Sequence, residues 1–131
     1  MKRMIPILLM MTLLLTGCAV PKPATEANTY RQITMQEAVE MMEKEENYII
    51  LDVRTQEEFA AGHIPGAIVI PNETIGTEDI PQLPDKDQLI MVYCRSGNRS
   101  KQASEKLADM GYINVVEFGG INSWPGETVS G

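Results

Sequence analysis

The residues best equipped for chemistry stand together in "CRSGNRS", Cys94 to Ser100, where a thiol is followed by two arginines, a glycine and two hydroxyls. A cysteine is a nucleophile only as its thiolate, and nearby cations or unpaired backbone N–H groups favour that form. Arg95 and Arg99 supply cations, and a turn through Ser96, Gly97 and Asn98 can fold its N–H groups inward as an anion-binding nest. A helix starting near Ser100, with the serine as its cap, adds the positive end of its dipole. The pattern points to an activated nucleophile that also holds an anion. The competing reading is a buried cysteine that closes a core strand while its arginines face solvent.

The elements that must position this loop are legible in the apolar periodicity. "LIMVY" (Leu89 to Tyr93) is a strand that delivers Cys94, and Ala103, Leu107 and Met110 share one face of the following helix, which stops at Gly111. "YIILDV" (Tyr48 to Val53) is the continuous apolar run of a strand buried on both faces. It is followed by a Thr55-to-Glu58 capping box and a short helix ending at Gly62. A second box, Thr34 to Glu37, opens a helix carrying Ala38, Met41 and Met42. "AIVI" (Ala67 to Ile70), ended by Pro71, and "NVVEF" (Asn114 to Phe118) read as further strands, and the polar stretch after Pro71 as a loop with one helical turn. Strands alternating with helices predict an open, mainly parallel α/β sheet, in which ligands gather beyond the carboxyl ends of the strands. Cys94 sits at such an end. Met35, Met41, Met42, Met91 and Met110 fall at core-like positions and fill space there.

With 131 residues, 44% hydrophobic and 22% charged, the chain supports one core. Residues 1–17 stand apart from it: Lys2 and Arg3 precede an apolar run, Met4 to Leu15, too short and wrongly flanked for a membrane span, which reads as a secretory leader. "LTGC" (Leu15 to Cys18) resembles the lipobox of bacterial lipoproteins, which makes Cys18 the lipidated first residue of the mature chain. Residues 18–29, rich in Pro, Ala and Thr, are expected to be a tether, and 30–131 the folded domain. The expected address is extracytoplasmic, anchored by lipid to the cell membrane, or to an outer membrane where there is one. With Cys18 lipidated, Cys94 is the only thiol left and no intrachain disulfide can form. A net charge of −7, more negative once Lys2 and Arg3 leave, excludes the basic footprint of a nucleic-acid binder.

Three ordered motifs carry a resemblance to a known family. "CRSGNRS" closely resembles the active-site loop of rhodanese-domain sulfurtransferases. "LDVRTQEEFAAGHIPGA" (Leu51 to Ala67) resembles their Asp-Val-Arg … Glu-Phe … Gly-His-Ile-Pro-Gly-Ala block, and "FGGINSW" (Phe118 to Trp124) is similar to their closing Gly-Gly … Trp segment. The resemblance implies a rhodanese-like fold, an open parallel five-stranded sheet flanked by helices on both faces. It also implies a sulfurtransferase in which Cys94 is catalytic and carries a persulfide. Sulfur would come from a small sulfur-containing anion such as thiosulfate, or from polysulfide, and pass to cyanide or a thiol. Arg95, Ser96, Gly97, Asn98, Arg99 and Ser100 would hold donor and persulfide, with no metal and no organic cofactor. A catalytically weak module that binds or senses sulfur species or a protein partner is the alternative.

Loop length separates this family from its neighbours in chemistry. Cysteine phosphatases and arsenate reductases on similar folds use Cys-x5-Arg, a ring of amides wide enough for a tetrahedral oxyanion. Here position 100 is Ser100 and Arg99 arrives one residue early, so the shorter cradle suits a single extra sulfur. Outside the loop, supporting roles are expected. Asp52 and Arg54 either orient the loop or, through an Arg54–Glu58 salt bridge, pin the strand-to-helix turn. His63 ties down "GHIPGA", and Trp124 packs as a lid near the site.

Overall fold

The computed structural model describes residues 29–131, so the expected leader, Cys18 and the expected tether up to residue 28 lie outside the described residues. The elements run β1 (Arg31–Gln32), α1 (Met35–Lys44), β2 (Tyr48–Asp52), α2 (Gln56–Ala61), β3 (Ile68–Val69), β4 (Leu89–Cys94), α3 (Asn98–Asp109) and β5 (Val115–Gly120). Single 3-10 turns occupy Asn72–Thr74 and Ile121–Ser123. The five strands form one parallel sheet in the order β1-β5-β4-β2-β3. This is the open parallel sheet that the alternating pattern predicts.

The apolar runs place themselves where burial is greatest. All six residues of β4 are buried, because the strand lies between β5 and β2 and is covered on both faces. Side chains alternate across it. Ile90, Val92 and Cys94 join Ala103 and Leu107 of α3 in one cluster, whereas Met91 and Tyr93 join Ala38 of α1 and Phe118 in the other, with Phe59 of α2 packed against them. Helices therefore cover both faces. Both capping boxes form: Thr34 Oγ1 accepts from the Glu37 N–H, Thr55 Oγ1 from the Glu58 N–H, and each glutamate accepts from its threonine's N–H.

Two elements depart from the sequence expectation. β1 is absent from it because two exposed residues have no apolar signature; backbone pairing to Val116 and Glu117 alone makes them a strand. α3 begins at Asn98, with Gly97 as its cap at φ 111°, so Ser100 lies inside the first turn and is no cap. A positive φ at that point turns the chain sharply out of the loop, which glycine does without steric cost. The freed Ser100 hydroxyl points elsewhere, with consequences for the site.

Candidate active site

Cys94 ends β4 with 1% of its surface exposed. The Gly97 N–H donates to its Sγ at 3.0 Å, and its thiol lies 3.4 Å from Ser100 Oγ. Thus one amide of the expected nest does converge on sulfur, while the sulfur itself is covered. The loop is fitted tightly to the end of β5, where a register shift pairs Cys94 with Gly120. A Cβ on Gly120 would lie 2.0 Å from the Arg95 carbonyl oxygen and 2.6 Å from Ser96 Cα. Only a glycine leaves room for the loop to cross there, and the Asn122 N–H fastens it by donating to that same Arg95 carbonyl at 3.2 Å.

The two loop arginines are used differently. Arg99 donates from both terminal nitrogens to Glu58, at 2.8 and 3.1 Å, and so fastens the loop to the first turn of α2. The hydrogen bonds from Arg99 are the main reason that the Glu58 carboxyl is lowered to about 2; its bonds from Thr55 add to them. Arg95, Ser96 and Asn98 are exposed, and Arg95 makes no salt bridge among the described residues. It is the loop cation left free to meet an anion.

The Arg54–Glu58 salt bridge expected from the sequence does not form. Arg54 instead curls back two residues and grips Asp52, Nε to Oδ1 at 2.9 Å and Nη2 to Oδ2 at 2.6 Å, and donates onward to the Gly62 carbonyl at 2.7 Å. The capping box aims the Glu58 carboxylate at α3 instead. Tyr93 Oη also donates to Asp52 at 2.7 Å while accepting from the Ile64 N–H at 3.1 Å, and burial chiefly pushes its phenol up. Asp52 and Arg54 therefore brace the α2-to-β3 segment from the Tyr93 side of the sheet, opposite the thiol's cluster. His63 works in the same segment: it stacks on Phe59 at 3.6 Å between ring centroids, and its Nδ1 lies 2.8 Å from the Phe59 carbonyl.

Trp124 likewise packs with the cluster on the other side of the sheet from Cys94. It packs against the cluster that contains Tyr93 and Phe118, and its indole N–H donates to the Glu127 carbonyl at 3.0 Å. In place of the lid expected from the sequence, the structure has a partly exposed ring packed on the face opposite the thiol's cluster.

One residue of the site escaped the sequence reading. Glu117 of β5 is 2% exposed, accepts from Ser100 Oγ at 2.5 Å and accepts from the Gly119 N–H at 3.0 Å. Its signal was present: a lone carboxylate within the apolar run "NVVEF". Cys94, Ser100 and Glu117 thus form a hydrogen-bonded row across β4, α3 and β5.

A thiol under a loop amide, in a Cys-x4-Arg turn at the carboxyl edge of a five-stranded parallel sheet, is the arrangement that the three motifs imply. A model of the Rhodanese-like domain matches residues 34–127. The chain belongs to the rhodanese-like family. Its relatives include the thiosulfate sulfurtransferase PspE of Escherichia coli strain K12, 39% identical over 71 residues that cover 54% of this chain and 68% of that protein. The thiosulfate sulfurtransferase GlpE of Pseudomonas entomophila is 32% identical over 107 residues, covering 78% of this chain and 94% of the relative. Among solved structures, the rhodanese-like domain protein of Staphylococcus aureus superposes with a TM-score of 0.63 at 32% identity, over 77% of this chain and 98% of that one. The rhodanese-like sheet and its covering helices are therefore shared over almost the whole of that neighbour.

Proposed function

We propose that this rhodanese-like chain is a sulfurtransferase that carries sulfane sulfur on Cys94. The Cys94 thiolate attacks the outer sulfur of thiosulfate; the new S–S bond forms as the donor's S–S bond breaks, and sulfite leaves with the bonding electron pair. Cyanide or a thiolate then attacks the outer sulfur of the persulfide and restores the Cys94 thiolate. Polysulfide serves as donor by the same displacement. The observation that carries this reading is the Gly97 N–H on Cys94 Sγ at 3.0 Å, a donor placed to stabilise negative charge as it develops on sulfur. Arg95, exposed and unpaired, draws the anionic donor, and Arg99 holds the loop shape through Glu58. The relatives named thiosulfate sulfurtransferase support the same substrate class.

The burial of Cys94 favours a second reading, a module that binds sulfur species or a partner without turnover. Intact-mass spectrometry after exposure to thiosulfate separates the two: an enzyme gains one sulfur atom on Cys94 and loses it to cyanide, whereas a binding module gains none. Residues 1–29 complete the proposal, with the lipobox cysteine Cys18 anchoring the domain at an extracytoplasmic membrane face.

A further inference from the structure

The described part of the molecule buries two acids deeply, and they are treated in opposite ways. Asp52 is met by Arg54, whereas Glu117 meets no lysine, arginine or histidine among the described residues. Its Oε2 accepts from Ser100 Oγ at 2.5 Å and from the Gly119 N–H at 3.0 Å, and Oε1 lies 3.4 Å from Gln32 Nε2. A full charge buried without a counterion is costly, so a carboxyl in this place gains from sharing a proton.

The partner for that sharing is Cys94. Ser100 has a single hydroxyl proton and stands between two acids, with Glu117 Oε2 on one side and Cys94 Sγ at 3.4 Å on the other. It can donate to one of them at a time. Each acid also has one backbone donor of its own, Gly119 N–H for the carboxylate and Gly97 N–H for the sulfur. Gln32 adds a side-chain donor to Glu117 Oε1, so what the two acids compete for is the Ser100 hydroxyl: with one negative charge and one mobile proton both stay bridged to it, whereas with both ionised only one of them keeps it.

We propose that Cys94 and Glu117 share one proton through Ser100, so that Glu117 takes the thiol's proton when Cys94 becomes the nucleophile. The S–H proton passes to Ser100 Oγ as the Ser100 O–H proton passes to Glu117 Oε2. The products are a thiolate, an unchanged neutral hydroxyl now donating to Sγ, and a neutral carboxylic acid; no proton enters or leaves. Glu117 never touches the sulfur donor and is a positioning residue. This deepens the persulfide reading and rests on it for its purpose, because it explains how a thiol sealed from water loses its proton.

Few other charges face the pair. Ahead of β1 stands Tyr30, whose phenol is pushed up first by burial and then by the Glu117 charge; β1 itself contributes the neutral Gln32. From α3, Arg99 feels the Cys94 charge but is tied to Glu58, and Arg95 in the loop is exposed. Two coupled acids that hold one proton between them keep a constant thiolate fraction over the pH range separating their two macroscopic losses.

The test uses the full chain carrying Cys18→Ser, in which Cys94 is the only thiol. Thiolate absorbance is followed against pH, with the Cys94→Ser chain subtracted to remove tyrosine, and the rate of sulfur uptake from thiosulfate is measured in parallel. The parent should titrate in two steps separated by a plateau, and its uptake rate should change less than about twofold per unit along that plateau. Glu117→Gln keeps an acceptor for Ser100 but cannot take the proton, so it should give one full step and a rate rising about tenfold per unit below its midpoint. Ser100→Ala should do the same by breaking the row, and Ser100→Thr should restore two steps, so the test stands even where one variant misfolds. Coincident single-step titrations of parent, Glu117→Gln and Ser100→Ala would overturn the shared proton, whether or not sulfur is taken up. A two-step parent that takes up no sulfur would leave the shared proton standing and remove the persulfide reading instead.

Discussion

Arg99 and Glu58 are joined by two parallel hydrogen bonds, at 2.8 and 3.1 Å, which fasten the cysteine loop to a helix that begins 38 residues before the loop does. One carboxylate thereby serves both as the N3 member of a capping box and as the anchor of the loop's second arginine. The loop shape and the strand-to-helix turn at Thr55 depend on each other.

Acid should loosen this connection in a defined window. The folded-state value of Glu58 is lowered to about 2 against a reference of 4.5, so its contribution is fully present above 4.5 and is lost as pH falls toward 2. Both side chains are about a third exposed, and with screening the effect is about 1 kcal/mol. Urea midpoints measured from pH 6 down should show wild type losing its advantage over Glu58→Gln across that window. A constant difference between the two would contradict the assignment.

Gly120→Ala tests the close crossing of β5 beneath the loop. A Cβ placed 2.0 Å from the Arg95 carbonyl oxygen must push backbone, so the variant should lose about 3 kcal/mol in denaturant unfolding. Sulfur uptake should fall with it, because the displaced segment is the one that carries the Gly97 amide to sulfur.

Asp52→Asn should separate stability from chemistry. It leaves the Arg54 guanidinium buried without its carboxylate, at a cost of about 3 to 5 kcal/mol. Under conditions where the variant is still folded, sulfur uptake per folded molecule should stay within about twofold of wild type, since the pair braces the opposite side of the sheet. A selective loss of uptake would instead place Asp52 in the loop's machinery.

The sheet was readable in the sequence because four of its strands are runs of apolar residues and two of its helices open with capping boxes, signals that depend on neighbours in the chain. The cysteine loop was readable for the same reason, as seven consecutive residues. Pairings across the fold were not. Arg54 had both Asp52 and Glu58 within reach, and the choice was made by where the Thr55 box aims Glu58. Ser100 reads as a cap until Gly97 takes that position with a positive φ, and Glu117, one acid inside an apolar strand, acquires its partner only when α3 brings Ser100 against it. β1 has no signal of its own, being two exposed residues held by backbone bonds to β5.

Cys18 sets the expected address. Cells producing the full chain should hold it in the membrane fraction with acyl groups on Cys18, and Cys18→Ser should release it or leave its leader uncleaved. Recovery of unmodified wild-type chain entirely in the soluble fraction would contradict the lipobox reading.

Whether Cys94 carries sulfur is decided by intact-mass spectrometry of the full chain incubated with thiosulfate and then with cyanide. The expected result is one added sulfur atom, located on the peptide containing Cys94, removed by cyanide with formation of thiocyanate, and absent in Cys94→Ser. A folded wild-type chain that gains no sulfur from thiosulfate or from polysulfide would contradict it.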